Sequence, residues 1–191
     1  MTPTRRHGLA ALLLLLPAAA TAGQPTIVAG GGLAGLDADR LEDPLFGPAL
    51  NVEGHLPNGL FARAEAMYVE RASGGETEDA ARRGELRLGW RTRATGRIDA
   101  VFNLEGAYLN SNNFRTRTDG GIAIGLQGRT RVLETTIQAL YRVPDDSAAD
   151  PQVGARLQIG ATDPETGWGV RADANAFEDG VIGSLSAVRR F

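Results

Sequence analysis

From Ala49 to Phe191, apolar and polar residues alternate on a period of two with few interruptions. Successive side chains of a strand point to opposite faces, whereas a helix needs a period near 3.6, so the pattern calls for strands with one apolar face. Leu50, Val52, Gly54 and Leu56 alternate with Asn51, Glu53 and His55; Leu60, Ala62, Ala64, Ala66 and Tyr68 with Arg63 and Glu65. Leu86, Leu88 and Trp90 stand against Glu85, Arg87 and Arg91; Ile98, Phe102, Leu104 and Tyr108 against Asp99, Asn103 and Glu105. Ile122, Ile124 and Leu126 do the same with Gly125 and Gln127, and Leu133, Ile137 and Tyr141 with Glu134, Gln138 and Arg142. Val153, Leu157 and Ile159 alternate with Arg156 and Gln158, then Trp168 and Val170 with Arg171 and Asp173. With the glycine-rich stretch 26–36 and the last stretch 181–191, this makes ten strands of roughly 9–11 residues each. If the glycine-rich stretch or another is not a strand, eight remain.

The connections alternate too. Turns at 57–59, 94–96, 129–130 and 162–167 fall at one end of the sheet. Longer segments at 37–47, 72–82, 110–118 and 144–151 fall at the other, beside a short turn at 178–180. Counting outward from the turns pairs Leu56 with Leu60, Leu126 with Leu133 and Ala161 with Trp168. All are apolar, and a one-residue slip would break each match. Tyr68, Tyr108 and Tyr141 lie towards the long-loop end, Trp168 and Phe191 towards the short-turn end, as two aromatic girdles would.

The amino-terminal 22 residues read as a secretory signal peptide: Arg5 and Arg6, then an apolar run, then Ala20-Thr21-Ala22 as the cleavage site. Residues 23–191 are expected to form a single β-barrel domain, all-β, antiparallel and up-and-down. No later apolar run is long enough for a transmembrane helix. The chain has no Cys, which excludes disulfides, thiol catalysis and thiolate metal sites. All 20 basic residues are Arg; without Arg5 and Arg6, 18 remain against 23 carboxylates, and no basic excess invites nucleic acid.

Alternation leaves open which face is wet. A soluble periplasmic ligand-binding barrel would turn Leu and Ile inward and the charges outward. The apolar stripe here is rich in alanine (Ala62, Ala64, Ala66, Ala172, Ala174, Ala176), which would fill a core poorly, and its aromatic residues gather at strand ends. A membrane barrel fits better. Its lumen would then hold Arg63, Glu65, Glu85, Arg87, Arg91 and Asp99, together with Glu105, Arg129, Glu134, Arg142, Arg156, Arg171 and Asp173. Such charges survive inside only as a paired, hydrogen-bonded network, which in ten strands would largely plug the bore and disfavour a narrow pore for small solutes.

Chemistry is not indicated. Gly30-x-Gly32-x-x-Gly35 matches the dinucleotide fingerprint, but that fingerprint needs a helix after the glycines, and Pro44 closes the segment that follows. His55 is the single His of the exported chain. It has no Ser within two positions for a nucleophile–base pair, and no ligand spacing for a metal. No catalytic, cofactor-binding or metal-binding residue is expected. The outer segments carry many carboxylates, which read as solvated loop tips.

The signal peptide, the dyad repeats and the terminal Phe191 together resemble the small outer-membrane β-barrel proteins, the class that includes the OmpA membrane domain and OmpX. Residues 105–110, 120–128 and 141–145 resemble the YfaZ family. The resemblance implies an outer-membrane location in a Gram-negative cell envelope, a structural or interaction role without catalysis, and no cofactor. It implies as partners the outer-membrane lipids and lipopolysaccharide, the barrel-assembly machinery and periplasmic chaperones, with no nucleic acid and a monomeric chain. It also implies that Phe191 is the membrane-assembly signal.

Overall fold

The computed structural model describes residues 25–39, 41, 43–71, 80–111, 116–146 and 149–191. The expected signal peptide lies outside them. Ten antiparallel strands close into an up-and-down barrel. They are β1 (Thr26–Ala38), β2 (Leu45–His55), β3 (Leu60–Arg71), β4 (Ala80–Thr95), β5 (Ile98–Ser111), β6 (Arg117–Arg129), β7 (Leu133–Pro144), β8 (Gln152–Thr162), β9 (Trp168–Phe177) and β10 (Gly180–Arg190). Each pairs with the next, and β10 returns to β1 from Val28↔Arg190 to Ala38↔Gly180. Phe191 adds a further rung, its N–H donating to the Ile27 carbonyl at 2.8 Å. The glycine-rich stretch is therefore a strand at the closing seam, with no helix after its glycines, and ten strands hold rather than eight.

The faces follow the parity of the sequence, and the apolar face is the outer one. Leu50 is 68% exposed and Ile124 64%, while Arg156 is 1% exposed and Arg87 2%. The soluble-barrel alternative required the opposite, and the structure overturns it.

Lengths and registers differ from expectation. The strands run longer, from 10 residues in β9 to 16 in β4, so the outer segments shrink to 39–44, 72–79, 112–116 and 145–151. The turn expected at 129–130 is 130–132, because the Thr130 hydroxyl accepts the Leu133 N–H (2.9 Å) while the Thr130 N–H donates to the Leu133 carbonyl (2.8 Å). Thr130 and Leu133 thus face each other across 131–132, so Leu126 pairs with Ile137 instead of Leu133; across the 163–167 turn, Ala161 pairs with Val170 instead of Trp168. Both shifts are even, so no side chain changes face. The turn expected at 94–96 is 96–97, since a register shift between Arg93 and Thr95 takes up one residue. In the turn 163–167, the Asp163 carboxylate accepts the Glu165 N–H (3.0 Å) and the Thr166 hydroxyl (2.7 Å). Those hydrogen bonds, the backbone one first, hold its pKa below the ordinary value.

A barrel this small curves sharply, and on its concave side neighbouring strands leave no room for some Cβ atoms. One built at Gly32 would lie 1.9 Å from the Leu185 carbonyl oxygen, and one at Gly125 would lie 1.9 Å from that of Ile137. Glycine at these inward positions is what lets the sheet coil.

Candidate functional site: the closed bore

The inward positions of β2 to β9 bring most of the expected lumenal charges together. Arg156 of β8 is the centre of the largest knot. Its guanidinium donates to Glu85 of β4 and Glu105 of β5 (both 3.0 Å), to Asn175 (2.6 Å) and to Gln138 (3.3 Å). Arg142 of β7 reaches the same two carboxylates, at 2.9 and 3.3 Å, and Arg83 and Arg87 also pair with Glu85. A second knot joins Arg63 of β3 to Glu65 (2.8 Å), to Asp173 of β9 (2.7 Å) and to Gln158 (3.1 Å). A third links Arg171 of β9 to Glu53 of β2 at 2.6 Å, with His55 on the other carboxylate oxygen. The bonds of Arg156 and Arg142 to Glu85 and Glu105, of Arg63 to Asp173 and Gln158, and of Arg171 to Glu53 join strands that do not neighbour one another, so they fasten separate parts of the wall.

Not every expected member joins. Asp99 is engaged by Arg129 and by Arg93 (3.1 Å) near the short-turn end. Arg91 reaches only Gln127, at 3.4 Å, and neither Arg91 nor Glu134 makes an ion pair among the described residues. Glu53, Arg83 and Asp119 belong to the buried charged set but were not expected there. Glu53 stood on the right parity in the sequence. Arg83 and Asp119 fell in or beside segments read as loops, where no parity could be assigned.

Above the charges, at the long-loop end, the bore is closed by apolar side chains. Leu36, Leu45, Met67 and Val69 form a buried cluster with Ala34, Ala49 and Ala81, and Leu109 and Ile182 pack against it. A polar lumen was expected; this end of it is apolar. Packed hydrocarbon and interlocked ion pairs therefore occupy the bore in series. Among the described residues, no three His, Cys, Asp or Glu side chains gather as metal ligands. His55 lies between Glu53 and the ring of Phe61 (centroids 6.0 Å apart).

A closed barrel with a charged interior and an apolar exterior has the architecture of small outer-membrane barrels. Among solved structures the fold is similar to that of Neisserial surface protein A, at 12% identity over 87% of this chain and 95% of that one, with a TM-score of 0.37. It is also similar to the KdgM porin (8% identity, 87% and 99%, 0.45) and to Ail, the attachment invasion locus protein of Yersinia pestis (15%, 87% and 97%, 0.36). All three belong to the small outer-membrane barrels, the class the sequence resembles. No protein-family model matches the chain, and no curated protein matches it. The likeness to the YfaZ family stays a resemblance on three short segments.

Proposed function

We propose that this chain is an outer-membrane β-barrel with a structural or interaction role at the cell surface, closed to solutes and without catalytic activity. The observation that carries this reading is the inverted surface. Leu33, Leu50, Leu88, Leu104, Ile124, Ile137, Val153, Val170 and Leu185, drawn from all but one of the ten strands, are exposed around the barrel. Soluble monomers rarely expose contiguous apolar patches above a few hundred Å², and a belt around a whole barrel needs lipid to cover it. Strands of 11 residues, tilted as in such barrels, reach about 25 Å along the axis, which matches the apolar band of an outer membrane. The surrounding partners would be outer-membrane lipids and lipopolysaccharide. The plug and the apolar cap favour a closed barrel over a narrow pore.

The chain's two tryptophans supply the test. Trp90 and Trp168 both face outward near the short-turn end, and the Trp90 indole N–H donates to the Asn58 carbonyl at 3.2 Å. In vesicles of brominated phosphatidylcholine, their fluorescence should be quenched strongly by bromines close to the headgroup and weakly by bromines at the chain ends. Fluorescence indifferent to the bromine position would end the membrane reading.

Phe191 is proposed as the feature read by the barrel-assembly machinery, after delivery by periplasmic chaperones. It is 67% exposed, closes the seam with Ile27, and has the Arg189 guanidinium 5.2 Å from its ring. Deleting Phe191 should impair membrane insertion and leave export intact, with unfolded chain accumulating in the periplasmic fraction. Undiminished insertion of that variant would count against the assignment.

A further inference from the structure

Below the plug, at the short-turn end, the bore opens into two cavities of about 570 and 440 Å³ that share Arg93, Asp99 and Arg129. Volumes of this order are those of small-molecule sites. Seven arginines line the pair of cavities, against two carboxylates, Asp99 and Glu134. Asp99 is already taken by Arg93 and Arg129, and Arg171 is held by Glu53. Arg97, Arg131 and Arg190 have no ion pair among the described residues. They come from three separate elements: the turn 96–97, the turn 130–132 and β10. The first of these is fastened in place, since the Arg129 N–H donates to the Arg97 carbonyl at 3.0 Å. Arginine forks gathered around a concave mouth suit planar oxyanions, which they can bind two hydrogen bonds at a time.

We infer that this mouth is a binding site for a water-borne oligoanion, a small molecule bearing two or more phosphate or carboxylate groups. A dissolved ligand is favoured over a lipid headgroup by parity. Arg129, Arg171, Gly160 and Val188 line the mouth from inward positions of their strands, so it opens into the bore, although the outward-facing Trp90, Leu133 and Val170 also line the cavities. The opposite end is the more acidic one: its described residues include Asp37, Asp39, Asp43, Asp145 and Asp150 beside Arg71, Arg82 and Arg117. With the bore closed above the mouth, the site is a dead-ended vestibule that retains its ligand without passing it on. That the vestibule faces the periplasm rests on the outer-membrane reading; the presence of the site does not.

The test is a calorimetric titration of the full barrel, folded in a zwitterionic detergent at low salt. Tripolyphosphate serves as the phosphate probe, trigalacturonate as the carboxylate probe and maltotriose as the neutral one. At least one oligoanion should bind saturably, more weakly as salt is raised, and maltotriose should not bind. The triple variant Arg97→Gln, Arg131→Gln, Arg190→Gln removes only exposed side chains and should keep its folded migration on gels while losing about tenfold or more in affinity. Arg82→Gln, which removes an arginine from the loop end, should bind as the parent does. Absence of saturable binding to both oligoanions, or affinity unchanged in the triple variant, would overturn the site. Phosphatidylglycerol bicelles provide the lipid arm: binding to them but to neither dissolved probe would overturn the water-borne ligand. A protein that binds oligoanions yet shows no bromolipid quenching would overturn the membrane reading and leave this one standing.

Discussion

Replacing Gly32 by valine is expected to abolish closure of the barrel. A Cβ at this position meets the Leu185 carbonyl oxygen at 1.9 Å, the Ser186 Cα at 2.6 Å and the Leu185 carbonyl carbon at 2.8 Å. All three are backbone atoms of the facing strand, so no side chain can rotate out of the way. Relief requires β1 and β10 to separate, and this is the seam on which the barrel closes. The strain should cost about 3 kcal/mol or more, at the upper end of what overpacking does. Separation would also expose two rows of unpaired N–H and C=O groups, which hydrocarbon cannot satisfy. Refolded G32V should migrate on gels as unfolded chain before heating as well as after it. The control is one residue away. A Cβ at Gly31 points outward and meets the Leu50 Cδ2 at 3.1 Å, a side-chain end that can turn aside, and the Ala49 carbonyl oxygen at an ordinary 3.6 Å. Gly31→Ala should refold with the parent's yield, and a G32V protein that did likewise would remove the steric account of the seam.

Strand number, face and topology were legible in the sequence because lipid and plug impose opposite polarities on alternate residues. Arg63 and Glu65 between Ala62, Ala64 and Ala66 can be read without knowing what they touch. The reading failed where both faces are apolar. At the long-loop end, Leu45 and Met67 point into the cap while Phe46 and Tyr68 point out, so the alternation disappears although the strand continues. Strand ends, outer-segment lengths and the position of Arg83 were lost there. Turn positions were lost for a different reason: the Thr130 hydroxyl, by accepting the Leu133 N–H, sets the turn two residues further along, and hydrophobic pattern is blind to it. Which Arg meets which carboxylate was illegible altogether. Arg63 and Asp173 are 110 residues apart on strands that are not neighbours, and only the diameter of the bore and the reach of the side chains bring them together. The arginine mouth lay mostly in the turns, where composition was visible and geometry was not.

Arg156→Ala should be the most damaging substitution in the plug. The side chain is fully buried, and its guanidinium bonds two carboxylates and two amides drawn from four strands. Truncation leaves Glu85 and Glu105 buried with one cation fewer, and breaking one side of a buried pair costs about 3–5 kcal/mol. The urea midpoint of the refolded barrel should fall accordingly, and by the same amount at low and high salt, because ions screen a closed interior poorly. The alternative explanation is lost packing, and a second substitution separates the two. Arg156→Met keeps most of the volume without the charge; adding Glu105→Gln then removes the carboxylate that lost its principal partner, Arg142 being its other one. If the ion pair dominates, Glu105→Gln should cost less in the Arg156→Met background than in the parent, with a coupling of at least about 1 kcal/mol between the two sites. Additive effects would mean that Arg156 stabilises the barrel by filling space, and the plug would then be packing that happens to be charged.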